Sequence, residues 1–252
     1  MFRILPVRNR WEFAGTSSEL SQKIVSNLVT FLSRFPKTIL KAKSLLDCID
    51  FYIWVANKFG NQTRFPTKSN LLGSVVSQIE SDLASMPRPF VILELGVAYG
   101  DTLRLLQKLS SAGFTYYGFD SFKGLPESWR GLPKGAFSNF GPSSISYDQN
   151  DIHKINFVVG WVEETLIDFP TPDKSALKFI MFDMDLFAPT RFAYKNLRSQ
   201  ITKGDYIYFD EAFDSDERLL VREYFLKDFM VEVVGFSPLG IAFRVIGESK
   251  QS

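Results

Sequence analysis

The sequence predicts an α/β protein: a doubly wound, mostly parallel sheet of seven strands, with a C-terminal antiparallel hairpin and an N-terminal helical extension. Three observations predict it. From Phe90 onward, short unbroken apolar runs alternate with helix-length stretches, the rhythm of β/α units whose strands are buried on both faces. Several of these runs end in acids or glycines, where open α/β sheets place their ligands. The last two runs, residues 230–236 and 241–246, are separated only by Ser237-Pro238-Leu239-Gly240, room for a hairpin but not for a parallel crossover.

Composition narrows the function classes. A chain of 252 residues suits one domain with extensions and buries a large core. Aromatics make up 15%, with 25 Phe, so the core or a pocket is rich in rings. A net charge of +1 argues against a nucleic-acid partner held by bulk electrostatics. The single Cys48 excludes an internal disulfide and fits a reducing compartment. Met1-Phe2-Arg3 opens a mixed, charged segment rather than a secretory signal. Residues 38–56 are apolar but interrupted by Lys41, Lys43, Asp47 and Asp50, so no bilayer span is expected there. A cytoplasmic location and a small-molecule substrate, with neither membrane nor nucleic acid, are the expectations.

Residues 1–88 form the extension. One helix is expected over 17–35, stopped by Pro36. A second covers 37–59, ended by Gly60-Asn61, with Phe51, Tyr52, Trp54 and Val55 on an apolar face. A third covers 68–84, before Pro87 and Pro89. They would cap the site, join two copies into a homo-oligomer, or simply pack on the sheet.

The first strand and its glycine turn are Phe90-Val91-Ile92-Leu93-Glu94-Leu95-Gly96-Val97-Ala98-Tyr99-Gly100. An apolar strand runs into glycines, and Asp101 or Thr102 caps a helix to about residue 112. Such a corner brings backbone N–H groups close to a ligand at a helix N-terminus. A dinucleotide site needs G-x-G-x-x-G, and the middle glycine is missing here. Glu94 ends the strand, placed to meet a cationic or amine-bearing ligand. The spacing E-x-G-x-x-x-G resembles the first motif of class I S-adenosylmethionine (SAM) methyltransferases, which implies a Rossmann-like sheet.

The second strand, residues 114–120, ends in Asp120, which lies 20 residues after Gly100. An acid at that distance accepts hydrogen bonds from a ribose, unless it caps or pairs within the protein. Residues 121–154 then carry seven Gly and Pro among scattered rings, which reads as a lid rather than a linker. From the end of this strand into the stretch, Tyr117-Gly118-Phe119-Asp120-Ser121-Phe122-Lys123-Gly124-Leu125-Pro126-Glu127-Ser128-Trp129 and Lys134-Gly135-Ala136-Phe137 resemble the macrocin O-methyltransferase family. Those enzymes methylate mostly sugar hydroxyls of natural products, and many depend on Mg²⁺. The resemblance covers about 90–247. It implies that Glu94, Gly96, Gly100, Asp120, Ser121 and Trp161 hold SAM.

The only histidine, His153, sits in a polar stretch before the third strand, residues 155–159, and is expected at the surface. Gly160-Trp161-Val162-Glu163-Glu164-Thr165-Leu166 resembles the family's turn beside the adenine, with Glu163 or Glu164 near it. The fourth strand, 177–182, ends in Asp183-Met184-Asp185, and the fifth, 205–209, ends in Asp210-Glu211. Four carboxylates converging at adjoining strand ends, without matching basic residues nearby, repel unless water or a cation separates them.

The resemblance assigns Mg²⁺ to Asp183, Asp210 and Glu211, with Asp185 a possible fourth ligand. Glu211 stands where the family often has aspartate, and Phe187 where it commonly has tyrosine. A bound cation would grip a substrate hydroxyl, and Asp183 or Asp185 would take its proton as general base. The alternatives are an NAD(P)-type oxidoreductase and a SAM-binding module without chemistry.

Overall fold

The computed structural model describes residues 36–110, 113–139, 141–142, 155–170 and 172–249. The expected helix over 17–35, His153 and the far part of the lid lie outside the described residues. The chain divides into two compact units, 1–46 and 47–252, and the sheet belongs wholly to the second.

The elements follow the sequence pattern. Helix α1 spans Pro36–Phe59 and α2 Lys68–Ser85; β1 is Phe90–Leu95, followed by α3, Asp101–Leu109. Strands β2, Thr115–Asp120, and β3, Ile155–Val159, precede the one-turn helix α4, Val162–Thr165. Next come β4, Leu177–Phe182, α5, Phe187–Leu197, and β5, Tyr206–Phe209. Helix α6, Ser215–Leu220, runs on into a π turn, Val221–Phe225, before β6, Phe229–Phe236, and β7, Ile241–Glu248. Where the bounds differ from expectation they do so by one to three residues, at helix and strand ends, where hydrogen bonding frays.

The seven strands form one sheet in the order β3-β2-β1-β4-β5-β7-β6. All neighbours from β3 to β5 run parallel, and β7 inserts antiparallel between β5 and β6. Strand order reverses between β1 and β4. That is the topological switch point, where a crevice opens at the carboxyl ends of the strands.

Side-chain alternation gives the sheet two apolar faces. Leu93, Leu95, Ile180, Phe182, Ile207 and Phe209 share a core with Phe51 and Val55 of α1 and with Tyr194 of α5. Ile92, Phe179, Met181 and Tyr208 share the other with Leu72 and Val75 of α2 and Leu103 of α3. Both described helices of the extension therefore pack on the sheet. The rings go into the core: Phe182 stacks on Phe209 at 5.1 Å, and Phe225 lies 5.3 Å from Phe209 and 5.4 Å from Phe243.

A buried ion pair fastens the amino ends of β4 and β5. Lys178 and Asp205 are both fully buried, with Nζ 3.2 Å from Oδ2. Asp205 also accepts the N–H of Lys178 at 2.9 Å and of Thr202 at 2.7 Å. Taking away one member of such a pair strands the other charge, a cost of about 3–5 kcal/mol. Asp205→Ala should therefore lower the unfolding free energy by about that much, read from urea denaturation. A loss below about 1 kcal/mol would mean that the pair contributes little beyond solvated charges.

Candidate active site

The crevice is shaped first by glycine. Gly96 has φ 92°, and a Cβ there would stand 1.8 Å from the carbonyl oxygen of Asp183. The loop after β1 can thus lie directly on the chain leaving β4, where Asp183 donates its N–H to Leu95 O at 2.9 Å. Gly100, at φ 72°, supplies the left-handed turn that starts α3. Between them, Val97 and Ala98 donate their N–H groups to Asp120 Oδ2 at 2.8 and 2.7 Å, and Phe122 donates to Oδ1 at 2.6 Å. Asp120 thereby ties the glycine loop and the start of the lid to the end of β2. A carboxylate offers about four lone-pair positions, so three bonds leave room for a ligand donor.

A cavity of about 610 Å³ opens above these strand ends. Gly96, Asp120, Ser121 and Trp161 line one part of it; Asp183, Asp185, Asp210 and Glu211 line another. The expected cofactor positions and the expected acids thus surround one space, with two exceptions. Glu94 does not line it. It is buried on the α2–α3 face of β1, and burial, then repulsion by Asp183, pushes its carboxyl well above the usual range. Thr102 holds that carboxyl by a hydrogen bond. Gly100 acts through the backbone turn, not as a wall.

The near part of the lid is irregular but well tied. Leu125 N–H donates to Ala136 O at 2.8 Å, and Gly135 N–H to Leu125 O at 2.9 Å. Trp129 and Leu132 exchange backbone bonds of 3.0 and 2.7 Å. Arg130 bonds Asp47 at 2.7 Å and Asp214 at 2.6 Å. Leu125, Pro126 and Phe137 from this segment line the cavity.

The acids converge as expected. One oxygen each from Asp183, Asp210 and Glu211 lies within 4.8 Å of the others. The premise that no base stands near them is corrected by Lys68. Its Nζ lies 2.7 Å from Asp183 Oδ2 and 3.0 Å from Asp210 Oδ1. Thr67 caps α2, accepting the N–H of Asn70 at 3.1 Å, and so sets Lys68 at the helix start. Lys68 is 115 residues before Asp183, which is why the local charge pattern could not show it. The donor atoms suit a divalent cation in type and spacing, but two of the three carboxylates already hold an ammonium. As they stand, they do not fit a second cation.

Electrostatics separates the acids. Burial drives the Lys68 ammonium toward losing its proton, but Asp183 and Asp210 outweigh that and hold it charged. Burial acts upward on Asp210 too, yet Lys68 and a hydrogen bond from the Tyr208 hydroxyl bring it below the ordinary value. Desolvation and then Asp210 push the partly buried Asp183 upward, against the pull of Lys68. Asp185 is pushed up to about 6, by burial and then by Asp210. Its backbone is left-handed, φ 62°, a conformation costly for most residues and common at functional sites. Glu211 and Glu217 are raised well above the carboxylate range by burial; Asp210 and Asp183 push both further.

No family model matches the sequence, and no curated protein matches it. Solved structures do. CalS11, a calicheamicin methyltransferase, is 21% identical, with 70% of this chain and 78% of that one covered and a TM-score of 0.52. The two share the Rossmann-like fold, a mostly parallel sheet closed by an antiparallel hairpin. The O-methyltransferase NovP is 18% identical over 70% of this chain and 80% of its own, with a TM-score of 0.49. An rRNA methylase structure from Clostridium thermocellum is 15% identical over 69% and 96%, with a TM-score of 0.45. Of these three, only CalS11 passes a TM-score of 0.5, and at its identity it speaks for the fold. Among the described residues no helix is long and apolar enough to cross a membrane.

Asp120 gives the sharpest check on this geometry. Asp120→Ala should lower both thermal stability and affinity for S-adenosylhomocysteine, since each bond to a charged acceptor is worth about 1.5–3 kcal/mol. Denaturation and calorimetry on the same variant separate the two losses. Lost affinity at unchanged stability would assign the carboxylate to the ligand alone.

Proposed function

We propose that the protein is a SAM-dependent O-methyltransferase acting on a hydroxyl of a small molecule, such as a sugar or natural product. The carrying observation is one cavity at the switch point that joins the Gly96–Asp120 corner to the Asp183–Asp185 rim. A class I methyltransferase fold around it, and the description of CalS11 as a calicheamicin methyltransferase, support the reading. The missing middle glycine weighs against the dinucleotide alternative. The acids retained at the rim weigh against a module without chemistry.

Methyl transfer is an in-line displacement at a sulfonium carbon, so the protein chiefly positions the reactants and excludes water. Gly96 and Gly100 let the backbone approach the cofactor, while Asp120, Ser121 and Trp161 bound its side of the cavity. The acceptor would lie toward Asp183 and Asp185. Asp183 is engaged by Lys68, which leaves Asp185, on the cavity wall and outside that ion pair, as the general base. As the acceptor oxygen attacks the methyl carbon, the C–S bond breaks, S-adenosylhomocysteine leaves, and the hydroxyl proton passes to Asp185. A base poised near neutrality suits that role.

Calorimetry should find binding of SAM and S-adenosylhomocysteine and none of NAD; tight NAD binding with silence toward SAM would overturn the reading. With isotopically labelled SAM and a panel of sugar and phenol acceptors, Asp185→Asn should reduce turnover by about 10²–10⁴-fold, the range of a lost general base. Its affinity for S-adenosylhomocysteine should stay within about threefold, because the amide keeps the side chain's shape and lies outside the cofactor's part of the cavity. Undiminished turnover in Asp185→Asn would return the base role to Asp183.

A further inference from the structure

We propose that the Lys68 ammonium is the resident cation of the acid cluster, standing where the family resemblance puts a divalent metal, so that this site works without one. The cation assignment is independent of the reaction; only its catalytic consequence rests on the methyltransferase reading.

Position comes first. Lys68 Nζ bonds Asp183 Oδ2 at 2.7 Å and Asp210 Oδ1 at 3.0 Å, two of the three carboxylates that converge here. The same ammonium lies 5.7 Å from the centre of the Tyr208 ring. Tyr208 in turn donates its hydroxyl to Asp210. A Mg²⁺ at about 2.1 Å from the oxygen that Lys68 bonds in Asp183 would stand at most about 5 Å from Nζ. Two like-signed charges that close, away from bulk water, repel by several times the thermal energy. Metal and ammonium are therefore competitors for these oxygens.

Holding Lys68 in place is a built feature. Thr67 caps the helix that carries it, and Leu71, Leu72, Val75 and Val76 of that helix are buried against the sheet. Asp183 and Asp210 thus receive their positive charge from a fixed element of the chain. The other acids ask for little more. Glu94, Glu211 and Glu217 are buried, and burial favours their neutral forms. The opposite possibility is that the unpartnered oxygens of Glu211 and Glu217 await a metal, and it makes a different prediction.

The ammonium also faces a use. Lys68 lines the cavity, and of its three N–H donors two are taken by Asp183 and Asp210. The third is available to an acceptor oxygen. A hydroxyl bound there loses its proton more readily, and the proton passes to Asp185 while the oxygen takes the methyl group. The N-terminal extension then supplies a catalytic residue, not only a cover.

The test is Mn²⁺ binding to the full chain after chelator treatment, followed by the paramagnetic resonance signal of the free ion. Wild type should bind no Mn²⁺ below about 1 mM, and Lys68→Met should bind about tenfold or more tightly than wild type, because the competing charge is gone. Adding Asp210→Asn to Lys68→Met should abolish the gain. Stoichiometric binding by wild type at micromolar Mn²⁺ overturns the proposal, and needs no variant to fold. So does a Lys68→Met protein that keeps its S-adenosylhomocysteine affinity and gains no Mn²⁺ site. Failure of SAM to bind in calorimetry would instead remove the methyltransferase reading and leave the cation result standing.

Discussion

Gly96 lacks a Cβ, and the carbonyl oxygen of Asp183 occupies the space one would need, 1.8 Å from where it would lie. The rest of the site depends on this contact. It follows from the parallel pairing of β1 with β4, in register from Phe90–Leu177 to Leu95–Phe182, which places the ends of both strands side by side. The glycine loop thus shares a wall with the acids after β4 rather than lying a strand's width away. Asp120 completes the joint from β2 by accepting the N–H groups of Val97 and Ala98. One backbone contact and one carboxylate therefore align three strand ends around a single cavity.

That alignment brings an electrostatic burden. Parallel strands ending together bring Asp183, Asp185, Asp210 and Glu211 into one low-dielectric region, where every ionised carboxylate raises the pKa of its neighbours. The structure meets this unevenly. Asp210 receives both Lys68 and the Tyr208 hydroxyl and stays ionised, while Glu211 and Glu217 are driven toward their neutral forms. Asp185, with φ 62° and a carboxyl pushed up to about 6, lies between these extremes. Groups whose environments drive their proton affinities apart are the usual material of acid–base chemistry.

Much of the architecture is legible in the sequence because it is written locally. Unbroken apolar runs mark β1 and β4, glycines mark the corner at Gly96 and Gly100, and the four-residue turn at Ser237 to Gly240 marks the closing hairpin. The acids at strand ends are equally visible, since sheet topology alone places Asp183 near Asp210. The features that sequence reasoning misses share one property, long range. Lys68 meets Asp183 across 115 residues, and Arg130 meets Asp47 across 83. Neither pair has a local pattern to announce it. Glu94 shows the converse: it stands at the end of β1 as expected, but strand alternation aims it at the α2–α3 face beside Thr102, and the cavity lies elsewhere.

The extension is tied into the same site by backbone bonds. Residues 63–65 pair with Phe236, through Phe65 N–H to Phe236 O at 2.8 Å and Phe236 N–H to Thr63 O at 3.1 Å, so the chain entering α2 is stitched to β6. That stitch fixes where α2 begins, and Lys68 is its first residue. Arg130 links Asp47 of α1 to Asp214, which follows the Asp210–Glu211 acids by a short turn closed by Asp214 N–H to Glu211 O at 2.7 Å. Lifting the lid at Arg130 would therefore break bonds to the extension and to the acid loop together. The extension, the lid and the acid loop thus share hydrogen-bonded joints.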